Sequence, residues 1–144
     1  MQLSVERTFR TSAATAEAFA YLADFRNTVA WDPGTVRCDL TGGSVGPGAT
    51  YLNVSRFFGR TVELTYTTLD YEPEERLHFQ GRNASFVGDD HLGLERSGTG
   101  TTVHYRAEFD LRGLAAIVAP AVKLYLPRLA DRTIDQLRRR LDAL

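Results

Sequence analysis

Between Val45 and Leu111 the chain alternates apolar and polar residues in four or five runs, separated by tight glycine-rich turns. A period of two sends successive side chains to opposite faces, so this pattern predicts antiparallel strands with one buried and one wet face. Leu3, Val5 and Phe9 alternate with Gln2, Ser4, Glu6 and Thr8 in a first strand, with Arg7 in phase with the apolar set. Val36, Cys38 and Leu40 mark a second strand, and about 50–58, turning at Gly59, a third. Val62, Leu64, Tyr66 and Thr68 share one face of a fourth strand; Leu77, Phe79 and Gly81 share one face of a fifth. A sixth strand runs over about 86–96 and a seventh over about 101–111, joined by Ser97-Gly98-Thr99-Gly100.

Two segments follow a helical period instead. Phe19, Leu22 and Ala23 recur at helical spacing behind Ser12, the predicted N-cap, in a helix ending near Asp24. A short second helical turn precedes Trp31-Asp32-Pro33-Gly34, where the Pro-Gly pair stops it. After Gly113, residues Val122, Leu126, Ala130, Ile134, Leu137, Leu141 and Leu144 form one stripe, widened by Tyr125 and Leu129. Pro120 suits a first helical turn, whereas Pro127 falls inside the pattern and is expected to kink or split the helix. Such a face must cover something, and the curved sheet is the only candidate. The expected helix spans about 120–141, with Ile134 and Leu137 buried.

The apolar sheet face is not purely apolar. Asp90 is in phase with Phe86, Gly88, Leu92 and Leu94, and Tyr66 and Tyr105 sit on the apolar side of their strands. Arg56 is in phase with Leu52, Val54 and Phe58, although Tyr51, Asn53, Ser55 and Phe57 form a rival face that one bulge would turn inward. A plain core excludes such charges, because leaving them unpaired costs several kcal/mol or more. A mostly apolar face with a few polar groups is the pattern of a ligand cavity. Its expected lining is Arg56, Tyr66, Phe79, Phe86, Asp90, Leu92, Tyr105 and Phe109 from the sheet, with Tyr125 and Leu129 from the helix. Asp90, Tyr105 and Tyr66 are the candidates for proton transfer. Each has an ordinary alternative: an ion pair for Asp90, core packing for the tyrosines, and an exposed position for Arg56. Trp31 is expected to pack under the short helices rather than against a ligand.

Composition changes this picture little. The 144 residues, 43% hydrophobic and 24% charged, suit one soluble domain over 1–144. A net charge of −1 gives no footprint for nucleic acid. Cys38 is the only cysteine, which excludes an internal disulfide and a cysteine-rich metal knuckle. Met1-Gln-Leu-Ser-Val-Glu lacks a secretory pattern, and no apolar run approaches the roughly 20 residues of a membrane span. The expectation is a cytoplasmic monomer or homodimer. His78, His91 and His104 fall on the polar face of three successive strands near Asp89, on paper a set of metal ligands. With no pocket expected on that wet face, and no cysteine or short His-x-His spacing, they are read as solvated side chains and no metal is assigned. Nucleotide-binding loops, the Gly-x-Ser-x-Gly elbow and His-Glu-x-x-His are absent.

The order of strand, two short helices, six strands and a long C-terminal helix resembles the helix-grip fold of the START-like superfamily, an α+β architecture. Within it the chain is similar to the polyketide cyclase/dehydrase-like (SRPBCC) group over essentially its whole length. The resemblance rests on Trp31-Asp32-Pro33-Gly34, Val45-Gly46-Pro47-Gly48, Tyr71-Glu72-Pro73 with Arg76-Leu77, and Gly98-Thr99-Gly100-Thr101. All are turn or packing motifs, so they speak to fold more than to chemistry. The resemblance implies a seven-stranded sheet wrapped around the C-terminal helix, enclosing a small hydrophobic or aromatic ligand of polyketide or lipid type. It implies no cofactor. Binding alone is the first functional reading. The second is a cyclase, aromatase or dehydratase that folds a poly-β-ketone chain for aldol condensation and dehydration.

Overall fold

The computed structural model describes residues 2–144. Its strands are β1 (Gln2–Thr11), β2 (Thr35–Gly42), β3 (Thr50–Phe57), β4 (Arg60–Glu72), β5 (Arg76–Arg82), β6 (Phe86–Ser97) and β7 (Gly100–Leu111). They form one antiparallel sheet of order β1-β7-β6-β5-β4-β3-β2, so the first strand returns to pair with the last. The helices are α1 (Thr15–Ala23), α2 (Thr28–Trp31) and α3 (Ala119–Asp142), with 3-10 turns at Phe25–Asn27 and Gly113–Val118. This is the START-like helix-grip fold, with α1 and α2 after β1 and α3 across the sheet.

The stripe on α3 explains its position. Val122, Leu126, Ala130, Ile134, Leu137 and Leu141 are all buried, and Leu137 and Leu141 join the main core with Phe9, Phe19, Leu22 and Val103. Burying each such side chain stabilises the fold by roughly 1.5–3 kcal/mol. Pro127 neither ends nor splits the helix, which runs continuously through it. Neighbouring packing holds the turn together where the missing N–H weakens it: Leu126 and Ala130 on either side are buried.

Two further expectations are corrected. Ser12 does not cap α1, whose N-cap is Ala14 without a side-chain bond. The Ser12 backbone N–H instead donates to Asp142 Oδ1 at 3.0 Å, and the Thr11 hydroxyl donates to the same oxygen at 2.5 Å. Asp142 thereby fastens the end of α3 to the end of β1. Secondly, the helical stretch Gly113–Asp142 is, by length and composition, apolar enough to cross a membrane, contrary to the sequence expectation. The 3-10 turn extends the apolar run, and Leu114, Ile117 and Leu124 are exposed there.

Candidate functional site

Between α3 and the sheet lies a cavity of about 930 Å³. Its position follows from where the short helices end. Phe25, in the 3-10 turn after α1, packs at 4.5 Å from both the Tyr66 and Phe79 rings and fills one end of the sheet's inner face. Beyond Phe25 the space between the sheet and α3 stays open.

Strand alternation places Tyr66, Phe86, Asp90, Tyr105 and Phe109 on the cavity wall, and the α3 stripe adds Tyr125 and Leu129. Phe79 and Leu92 share their strand faces but are core residues, 0% and 1% exposed, outside the cavity lining. Phe25 covers Phe79. Arg56 is exposed at the rim, where a guanidinium N–H donates to the Gly59 carbonyl at 3.4 Å. The rival face of β3 is the inward one: Tyr51 and Asn53 are buried, and Ser55 and Phe57 line the cavity. Register shifts in the β2–β3 pairing accompany this facing. Trp31 lines the cavity, edge-on to Tyr105 at 6.4 Å, rather than lying wholly beneath the helices.

Asp90 is the polar centre. The Tyr105 hydroxyl donates to its Oδ1 at 2.8 Å, and among the described residues its Oδ2 accepts no hydrogen bond. Desolvation raises its pKa to about 7, opposed by the Tyr105 bond and assisted by the charge of Asp32. Burial also lifts the Tyr66 and Tyr105 hydroxyls well above the usual phenol range, so both stay protonated. The Tyr66 ring fits only because β5 carries glycine opposite it: Tyr66 and Gly81 are directly paired.

Asp32 was missed as a site residue. It follows α2, lines the same cavity, and accepts from the Thr35 hydroxyl at 2.6 Å and from the Gly34 N–H at 3.4 Å. Desolvation raises its pKa too. In sequence it reads as part of an Asp-Pro-Gly turn, and nothing local says that the turn faces a cavity. Phe58 stands at the mouth, edge-on to Tyr125 at 5.6 Å, in a tight turn where it and Gly59 have φ of 51° and 76°.

The histidines lie on the outer face. A shallow groove of about 460 Å³, absent from the sequence expectation, is bordered there by Arg7, His78, His91 and His104. His78 and His91 are opposed on β5 and β6, and their rings stack at 4.0 Å and 23°. His78 Nε2 lies 2.7 Å from Asp89 Oδ1, and His91 Nε2 lies 2.9 Å from Glu108 Oε1. Burial, then the neighbouring His78, hold His91 below its usual pKa. Ligand-type atoms of His78, Asp89 and His91 fall within 4.8 Å of one another. The lone pairs of the stacked rings lie in near-parallel planes, and a carboxylate already occupies Nε2 of each ring. His104 stands apart, bonded to Thr8 at 3.1 Å. The arrangement is a pair of part-buried imidazole–carboxylate contacts across three strands, more organised than solvated side chains.

A family model described as polyketide cyclase/dehydrase and lipid transport matches residues 2–142. Among curated proteins, none matches the chain. Among solved structures, a START superfamily protein from Mycobacterium smegmatis superposes with a TM-score of 0.81 at 12% identity, over 97% of each chain. The Zhui aromatase/cyclase from Streptomyces sp. R1128 gives 0.77 at 12% identity, over 99% of this chain and 93% of its own. The di-domain aromatase/cyclase BexL from the BE-7585A biosynthetic pathway gives 0.71 at 14% identity, over 96% of this chain and 49% of its own. At such identities the likeness is one of fold.

Proposed function

The chain belongs to the polyketide cyclase/dehydrase and lipid-transport family, and from that premise we propose that it binds a small apolar or aromatic molecule between the sheet and α3. One observation carries this reading. Asp90 and Tyr105 form a hydrogen-bonded pair on the wall of a cavity otherwise walled by residues such as Phe86, Phe109 and Leu129. A plain core has no use for an aspartate with one oxygen turned, without a protein partner, into open space, because a carboxylate is costly to hold among apolar walls. A ligand group that reaches that oxygen removes the penalty. Apolar walls supply affinity, and the pair fixes orientation.

The test is titration with the uncharged fluorophore N-phenyl-1-naphthylamine, beside native mass spectrometry of whatever co-purifies. Ala107 lies opposite Asp90 in the β6–β7 register and lines the cavity. Ala107→Phe fills the space before Asp90 and should abolish binding while the far-UV spectrum persists. Undiminished binding by this variant would place the ligand elsewhere.

The second reading, a cyclase, aromatase or dehydratase, draws on the near-neutral pKa of Asp90. A carboxyl so poised suits general acid–base work. It can take a proton from a methylene between two ketones as the new carbon–carbon bond forms. That proton returns to the alkoxide left by ring closure. The second proton of the same methylene then passes through Asp90 to the new hydroxyl, which leaves as water as the double bond forms. Holding the chain folded in the cavity supplies proximity, and neither reading requires a cofactor.

A further inference from the structure

We propose that the inner end of the cavity receives the uncharged or cationic, hydrogen-bond-donating head of an apolar ligand, a hydroxyl or an ammonium, and turns away a carboxylate. The inference rests on the ligand-binding reading above and adds to it the charge class of the ligand.

The argument is a census of charge. Six charged residues line the cavity: Asp32, Asp90, Glu63, Arg56, Arg60 and Arg132. Glu63 and the three arginines are exposed. Arg56 leans on the Gly59 carbonyl, and an Arg132 guanidinium N–H donates to the Tyr125 hydroxyl at 3.0 Å. Only the two aspartates reach the interior. Among the described lining residues there is no lysine or histidine. A carboxylate entering headfirst would meet two acidic side chains and no cation, in surroundings where water screens poorly.

The hydrogen-bonding pattern agrees. Asp90 Oδ2 is an acceptor without a donor, and Tyr105 already spends its proton on Oδ1. The inner site therefore asks for donors. A hydroxyl or ammonium supplies them; a carboxylate supplies only acceptors. The raised pKa values of Asp32 and Asp90 show that the protein itself tolerates negative charge poorly at this point. A protonated Asp90 would have one proton to offer an anion, which is why the test belongs above its pKa.

Three probes of one frame make the experiment: biphenyl-4-methanol, biphenyl-4-methanamine and biphenyl-4-carboxylate, each displacing N-phenyl-1-naphthylamine at about pH 8.5. The expected result is that alcohol and amine displace at concentrations at least about tenfold below the carboxylate. Asp90→Asn should narrow that gap, and Asp32→Asn with Asp90→Asn should reduce it below about threefold, with folding checked by circular dichroism. Carboxylate displacement equal to that of the alcohol overturns the inference, as does a gap unchanged in Asp90→Asn and in the double variant. Failure of the fluorophore and all three probes to bind is a different outcome: it removes the ligand-binding reading and this inference with it.

Discussion

The Tyr66 ring lies so close over Gly81, its directly opposed partner on β5, that a β-carbon at position 81 would sit 2.4 Å from the ring's Cζ. The crowding atom belongs to the ring body rather than to a flexible tip, so Gly81→Ala must push Tyr66 toward the cavity. Overpacking of this kind costs typically about 1–3 kcal/mol. Urea denaturation should show that loss, and fluorophore affinity should fall with it. Tyr66→Leu in the Gly81→Ala background should recover part of the stability, because the clash partner is gone. Equal losses with and without the Tyr66 ring would show that the glycine serves the backbone alone.

The same pair shows how far sequence carries. Tyr66, Asp90 and Tyr105 were legible because strict alternation fixes their face, and the α3 stripe was legible because six of its residues are buried at helical spacing. Alternation says which face a side chain takes, but not which part of that face a helix covers. Phe79 shares the cavity's strand face yet lies under Phe25, and Leu92 shares it yet is buried in the core. On β3 both faces are apolar, Leu52 and Val54 against Tyr51 and Phe57, so periodicity had no asymmetry to read. Asp32 was hidden for another reason: a turn residue has no periodicity to betray its facing.

Asp90 should imprint its ionisation on stability. Its folded pKa is raised from 3.8 to about 7, so between those values the folded state holds a proton that the unfolded state has released. Stability should therefore fall as pH rises from about 4 to 7 and level off above, by at most about 4 kcal/mol from this group. Asp32, raised in the same direction, adds to the slope. Asp90→Asn should flatten the profile and be relatively most stabilising near pH 8. Chemical denaturation at a series of pH values reads this directly; an unchanged slope in the variant would mean that Asp90 is hydrated and ordinary.

Asp142 acts with the opposite sign. Its bonds from the Thr11 hydroxyl and the Ser12 backbone hold its pKa below the usual value. The stabilisation it brings is present above the unfolded pKa and is lost as pH falls through the folded one. Because Asp142 is exposed, Asp142→Ala should cost only about 1 kcal/mol near neutral pH. Amide exchange should rise at the last turn of α3 and the end of β1, and the difference from wild type should vanish in strong acid. A loss of several kcal/mol would show that this fastening does more than hold two termini together.

Separating container from catalyst turns on the proton shared between Asp90 and Tyr105. Asp90→Asn keeps the side chain's size and much of its hydrogen bonding but ends proton exchange, and Tyr105→Phe removes only the hydroxyl that donates to it. If the cavity promotes ring closure, Asp90→Asn should slow product formation from a reactive poly-β-ketone mimic by about a hundredfold or more, with affinity little changed. Tyr105→Phe removes the one hydrogen bond holding the Asp90 pKa down, so the rate–pH profile should shift toward higher pH. If the protein only holds its ligand, the wild type should form product no faster than buffer. The same substitutions should then change affinity alone, by about 1–3 kcal/mol through the lost hydrogen bonds. Rates and binding isotherms measured side by side on wild type and both variants therefore give two distinct patterns. A rate above buffer that survives Asp90→Asn would remove Asp90 from the chemistry and leave it the polar anchor of a binding site.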